Sequence, residues 1–298
     1  MGQPKSIAFH YTGAFIRDLG LLVKFKLSLM VVFSSIATYL IFAGNGFSYQ
    51  NVFLLAVGGL LITFAANTLN QGLERDFDKL MERTRNRPLA SGRMSLSTAV
   101  LLAGIFTVLG ICCLILISPI CATLGMLSLV LYAFIYTPVK RFSTLAVPIG
   151  AIPGALPTLI AAVAAQQGLT IEALCFFAIQ YLWQFPHFWS IAFLGHSDYV
   201  NAGFKLIKDI DGQPDPRFGI YAAVYALLGL IFLAPLCTIL SLHPAIIVLV
   251  ACSMMVFAWY GWALYKNNDR LAARKLMFCS IIYLPVLFLM FILNTYIN

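Results

Sequence analysis

Nine apolar runs divide the chain, at roughly 22–43, 51–70, 97–117, 120–138, 144–164, 171–194, 218–240, 245–265 and 275–295. Each approaches the ~20 residues a helix needs to cross a hydrocarbon core. A bilayer leaves backbone groups no partner outside a helix or a closed barrel, so the runs predict membrane-spanning helices. Ser118 and Pro119 alone separate the third run from the fourth and predict a tight hairpin. Prolines at 138, 148, 153, 157, 186, 235 and 285 are expected to kink or break helices, most densely across 138–157.

The polar positions between the runs are not evenly shared. Lys5, Arg17, Lys24 and Lys26 lie at the first end. Six basic residues lie between runs two and three, Lys140 and Arg141 after run four, Lys205, Lys208 and Arg217 after run six, and Lys266, Arg270, Arg274 and Lys275 after run eight. Those segments hold all 19 Lys and Arg, and the alternate ones hold none. Basic residues are enriched on the cytoplasmic side of membrane proteins. Nine spans with a cytoplasmic amino terminus and an external carboxyl terminus satisfy this throughout. Of the 11 acidic residues only Glu172 falls on the other side. The acids concentrate after runs two and six, about 71–96 and 195–217, which suggests two halves around a central cavity.

The first of these segments, Asn67–Arg93, reads NTLNQGLERDFDKLMERTRNRPLASGR. On a helix, Asn70, Glu74 and Asp78 recur every four residues and form one oxygen-bearing stripe. Arg83, Arg85 and Arg87 follow. Carboxylates beside guanidinium groups at the end of a span suit a metal-bridged diphosphate, with Mg²⁺ taking the oxygens and Arg the phosphates. A solvated, salt-laced loop is the alternative. The second segment follows YLWQFPHFWSIAFLGHSDY, which carries Trp183, Gln184, Pro186, His187, Asp198 and Tyr199. An ionisable group inside a span, such as His187, is a site candidate, although a hydrogen-bonded core histidine and an interfacial aromatic belt explain the same residues. Tyr136-Thr-Pro-Val-Lys140-Arg141 forms a third cluster, readable as topology or as an anion site.

Composition narrows the class. The 298 residues are 61% hydrophobic and only 10% charged, against about a quarter charged in soluble domains. The net charge of +8 is dispersed between apolar runs, so no nucleic-acid partner is indicated. The seven cysteines show no paired ligand spacing. No P-loop or kinase signature occurs. A diphosphate on a lipid-soluble tail accounts for a site in a membrane. Prenyl transfer, lipid-diphosphate hydrolysis and transport all fit these residues.

The run Asn70-Gln-Gly-Leu-Glu74-Arg-Asp-Phe-Asp78 with Met81-Glu-Arg-Thr-Arg-Asn-Arg-Pro88 resembles the first acidic motif of the UbiA superfamily of intramembrane prenyltransferases. Trp183-Gln-Phe-Pro-His-Phe188, Asp198-Tyr199, Tyr136–Arg141, Gly154-Ala-Leu-Pro157 and Lys275–Pro285 extend the resemblance over about 20–295 and are most similar to its haem-farnesylating branch. The resemblance implies a single all-α domain over 1–298 with nine helices around a cavity, in the cell's inner membrane with the site facing the cytoplasm. It implies Mg²⁺-dependent transfer of farnesyl from farnesyl diphosphate to a vinyl group of haem B, water supplying a hydroxyl. By position, Asn70, Glu74 and Asp78 take the metal and catalytic role, and Arg83, Arg87, Lys140 and Arg141 hold diphosphate. His187, Trp183, Asp198 and Tyr136 contact haem. The resemblance also implies an association with haem A synthase or the terminal-oxidase assembly machinery, with membrane lipid as the surroundings. Glu74 departs from the more common Asp, Phe188 and Gly195 replace acids of quinone-type members, and Phe25 replaces a proline. The rival readings are a quinone-type or other aromatic prenyltransferase and, in another class, a haem or lipid transporter or chaperone.

Overall fold

The computed structural model describes residues 5–297. Helix α1 (Lys5–Leu22) precedes the first apolar run, and α2 (Phe25–Ala43) and α3 (Tyr49–Asp78) follow. Next come α4 (Leu96–Ile115), α5 (Pro119–Val130) and α6 (Thr137–Val139), the last two joined by a π-helical turn over Leu131–Tyr136. Then come α7 (Ala146–Gln166), α8 (Ile171–Leu194) and the short α9 (His196–Asn201). A hairpin pairs β1 (Asp209–Ile210) with β2 (Gln213–Pro214), before α10 (Arg217–Ile239), α11 (Pro244–Asn267) and α12 (Arg270–Ile297). Side-chain oxygens of Ser48, Ser95, Ser118 and Thr170 accept the N–H three residues on, and so start α3, α4, α5 and α8.

The protein is an all-helical, multi-pass membrane protein. Among the described residues eight helices are long and apolar enough to cross a bilayer, Pro119–Val139 counting as one. The ninth expected span, α8, has 24 residues and packs among the others. It falls short in apolarity because it carries Glu172, Gln180, Gln184 and His187. Only 22% of the apolar window of α4 is buried, against 72% for α7, so α4 faces lipid and α7 forms the interior. Helix α12 packs against both α8 and α2, so the bundle closes on itself. One apolar cluster joins α8, α10, α11 and α12, and a second joins α2, α3, α5 and α7.

The expected breaks do not occur at five of the prolines. Helix α7 runs unbroken through Pro153 and Pro157, α8 through Pro186, α10 through Pro235 and α12 through Pro285. Pro157 has no N–H for the carbonyl of Pro153, and Ser128 Oγ of α5 donates to that oxygen at 3.2 Å. A neighbouring helix thus satisfies the group that proline frees, as bilayer helices require. The loop boundary near 71 is also corrected. Helix α3 continues for two turns beyond the expected span, through Asp78.

Small residues let α10 and α11 approach closely. A Cβ built on Gly261 would lie 2.6 Å from the backbone nitrogen of Ala223, and one on Gly219 would meet the Tyr265 backbone. Because backbone cannot swing aside, Gly261→Val should destabilise the bundle by ~1–3 kcal/mol or more. A lowered melting temperature in detergent checks this, and a value unchanged from the parent protein contradicts the close crossing.

Candidate functional site

The site is built on the last two turns of α3. Asn70, Glu74 and Asp78 lie on one face, with 2%, 3% and 1% of their surface exposed. Each meets a cation from a different part of the chain. Asn70 Oδ1 accepts from Lys24 Nζ at 2.9 Å. Glu74 pairs with Lys140. Both oxygens of Asp78 accept from one Arg87 nitrogen at 2.8 Å. Buried charges require such partners, since an isolated one costs several kcal/mol in real proteins.

Local chemistry explains how the cations arrive. Lys24 lies in the turn between α1 and α2, with a left-handed φ of 48°. The Gln71 amide donates to the Leu21 and Leu22 carbonyls, both at 2.8 Å, and the Asn67 amide to the Val23 carbonyl at 3.2 Å. These two α3 side chains clamp the turn and so deliver Lys24 to Asn70. Arg93 fixes α1 as well, through a two-oxygen contact to Asp18. On the other side, the Asn70 amide donates to Thr137 Oγ1 at 3.0 Å, and that hydroxyl donates to the Tyr132 carbonyl at 2.8 Å. The Thr137 N–H reaches the same carbonyl, five residues back, which makes the π turn. Such turns are frequent at functional sites. This one sets Tyr132 within 3.4 Å of Lys24 Nζ, and the Tyr136 ring within 5.5 Å of Lys140 Nζ.

The electrostatics favour an anion. Burial first, then the Arg87 charge, pushes the Lys24 ammonium down to about 7. Burial lowers Lys140 too, against the opposing pull of Glu74. Three buried or half-buried cations thus stand against two carboxylates, an excess of positive charge that favours an anion, and a diphosphate entering with a divalent cation would bring the balance near zero.

The second acidic segment comes to the same end of the bundle. Met81 packs on Ala202 and Phe204, and Arg83 donates to the Tyr199 hydroxyl at 2.6 Å. A cavity of about 380 Å³ opens there, lined among others by Arg83, Asp198, Tyr199, Ile191 and Met277. The Asp198 carboxylate has no hydrogen-bond or ionic partner among the described residues. Arg141 stands apart from the stripe, with its guanidinium 4.3 Å from the Phe77 ring centroid. Trp183 and His187 lie inside α8 and bond to Ser280 of α12, at 2.9 Å and 2.8 Å.

The donor set suits a hard cation: two carboxylates and an amide oxygen on one buried face of α3. Among the described residues no three His, Cys, Asp or Glu side chains are already gathered as a metal cage. Mg²⁺ commonly takes one or two carboxylates and completes its shell with phosphate and water, so these donors fit it alongside a diphosphate.

Sequence reading missed Lys24, Tyr132, Thr137 and Ser280. Lys24 had a signal, a basic residue at the mouth of a span, but topology accounted for it equally well.

The profile of the UbiA prenyltransferase family matches residues 30–282. Protoheme IX farnesyltransferase of Christiangramia forsetii is 38% identical over 291 residues, covering 96% of each chain. That of Cytophaga hutchinsonii is 39% identical over 275 residues, covering 92% of this chain and 96% of the other. The human mitochondrial protoheme IX farnesyltransferase is 33% identical over 274 residues, 91% of this chain and 61% of that protein. In three dimensions the chain is similar to digeranylgeranylglyceryl phosphate synthase, with a TM-score of 0.77 at 17% identity over 95% of this chain and 99% of that one. A UbiA homolog from Archaeoglobus fulgidus bound to GPP and Mg²⁺ gives 0.66 at 14% identity, over 92% and 99%. The expected all-helical membrane fold agrees with these neighbours.

Proposed function

The chain belongs to the UbiA prenyltransferase family, and from that premise we propose that it transfers farnesyl from farnesyl diphosphate to a vinyl group of haem B. Water adds a hydroxyl, and the products are haem O and diphosphate. The observation that carries the reaction class is the buried stripe of Asn70, Glu74 and Asp78, each opposed by a cation: Lys24, Lys140 and Arg87. Relatives named protoheme IX farnesyltransferase, similar over nearly the whole chain, carry the acceptor.

Asn70, Glu74 and Asp78 would hold Mg²⁺, which would supply positive charge against the departing diphosphate. When the diphosphate enters, Lys24, Lys140 and Arg87 exchange part of their contact with the stripe for phosphate oxygens. Arg83 and Arg141 extend this positive surface outward. The allylic C–O bond breaks and diphosphate leaves with the electron pair. The Tyr132 and Tyr136 rings, beside Lys24 and Lys140, offer π faces to the carbocation. The vinyl π electrons form the new C–C bond, and water takes up the resulting cation with loss of a proton. The Arg83–Asp198–Tyr199 cavity admits the haem, with Arg83 suited to a propionate, while Trp183 and His187 bound its inner end.

The whole chain, 1–298, acts as one transmembrane domain. In this reading nine spans cross the inner membrane with the amino terminus and the site on the cytoplasmic face, and the one-sided distribution of basic residues supports it. Haem A synthase or the oxidase-assembly machinery would receive the product.

Purified protein given Mg²⁺, farnesyl diphosphate and haem B should yield haem carrying the farnesyl and hydroxyl mass. Product with 4-hydroxybenzoate but not haem would move the assignment to a quinone-type transferase. Uptake into proteoliposomes without covalent product would make it a transporter.

A further inference from the structure

His187 lies one turn before Ile191 on α8, and Ser280 one turn after Met277 on α12. Ile191 and Met277 both line the 380 Å³ cavity. Residues three or four apart share a helix face, so the His187–Ser280 pair continues the cavity wall one turn deeper. His187 Nδ1 and Ser280 Oγ are 2.8 Å apart. Ser280 Oγ also lies 2.6 Å from the Met277 carbonyl, to which it donates. A hydroxyl has one proton and two lone pairs. With that proton committed to Met277, Ser280 can only accept from His187, so the imidazole proton resides on Nδ1.

The arrangement is held from two further directions. The Trp183 indole N–H donates to the Ser280 carbonyl at 2.9 Å. Its ring stacks on the imidazole, with centroids 5.0 Å apart and planes 15° from parallel. Ser280 itself is fully buried. Among the described residues His187 Nε2 has no hydrogen-bond partner, and it is not one of the sealed, unpartnered polar atoms. Histidines that bind metals through one nitrogen typically donate the other N–H to a fixed acceptor, which sets tautomer and ring orientation.

We propose that Ser280 is a positioning residue that holds His187 as the Nδ1–H tautomer, leaving the Nε2 lone pair as an axial ligand for the iron of a haem in this cavity. The inference rests on haem being the acceptor. The opposite tautomer would put a proton on Nε2 and forbid iron ligation, so the hydroxyl direction at Ser280 decides whether the site accepts haem by its metal.

The test titrates the purified full-length protein with haem B and records absorbance, electron paramagnetic resonance and the Fe–His stretch of the reduced complex. The intact protein should show a nitrogen axial ligand. His187→Ala should lose it, and added imidazole should restore it. Ser280→Ala should weaken haem binding by about 10–100-fold and shift the Fe–His stretch, while Ser280→Thr, which keeps the hydroxyl, should stay near the parent. If Ser280→Ala does not accumulate, Trp183→Phe, which removes the donor to the Ser280 carbonyl and keeps an aromatic ring, should shift the same band. A spectrum without nitrogen ligation, or one that His187→Ala leaves unchanged, overturns the ligand assignment. An unchanged stretch in Ser280→Ala, or in Trp183→Phe where that variant stands in, overturns the positioning role. Haem O formed without His187 ligation defeats this inference alone. His187-ligated haem that is never farnesylated defeats the proposed reaction alone.

Discussion

Asp78→Asn should lower the rate of haem O formation by about 10²–10³-fold, the usual cost of one electrostatic contact to charge developing in a transition state. Asp78 is 1% exposed, and both its oxygens face Arg87. The substitution keeps the side chain's size and removes its charge. It therefore takes away a carboxylate for the cation and the group that orients Arg87. Breaking a buried pair can cost ~3–5 kcal/mol of stability. Here the cost should be smaller, because the Arg87 side chain keeps 22% of its surface in solvent. Turnover measured beside melting temperature separates the two effects. A folded variant with full activity would remove the α3 stripe from the reaction.

Lys24→Met should behave differently. Its ammonium is already disfavoured by burial, with a pKa near 7, so a neutral side chain of similar length should leave thermal stability unchanged or raised. Catalysis should suffer nonetheless. A diphosphate entering the site would lose one of three cations, and kcat/KM for farnesyl diphosphate should fall by roughly 30–150-fold, as charge-assisted contacts of ~2–3 kcal/mol imply. Lys24→Arg should recover part of it. Activity loss without stability loss is the diagnostic pattern. Equal kcat/KM in the Met variant would return Lys24 to a purely topological role.

These two residues differ in how much of their role the sequence exposes. Asp78 belongs to a pattern with a period. Asn70, Glu74 and Asp78 recur every four residues, so one assumption, that the chain is helical there, aligns them. The structure bears that out with α3 running to Asp78. The expected span nevertheless ended near 70, because hydropathy measures fit to lipid and not the continuation of a helix into the polar rim. Lys24 has no such partner in its own segment. It joins the site only because Gln71 and Asn67 hold the α1–α2 turn by its carbonyls. Those bonds connect residues more than forty positions apart, and no spacing along the chain encodes them. Ser280 is less visible still: a small polar residue within an apolar run, made significant by what α8 sets against it.

The sequence by itself determined the membrane class, the helical content, the clustering of acids in two segments, and the face of α3 that carries the oxygens. Each follows from local composition or helical period, which the backbone's own hydrogen bonding enforces wherever the segment sits. Only the tertiary structure decided which cation meets which oxygen, how α7 stays helical through Pro153 and Pro157, and that Arg141 stacks on Phe77 while Lys140 pairs with Glu74. Those outcomes depend on which helices become neighbours. Inside a bilayer a buried charge or a freed carbonyl must find its partner across that packing, because neither water nor lipid supplies one.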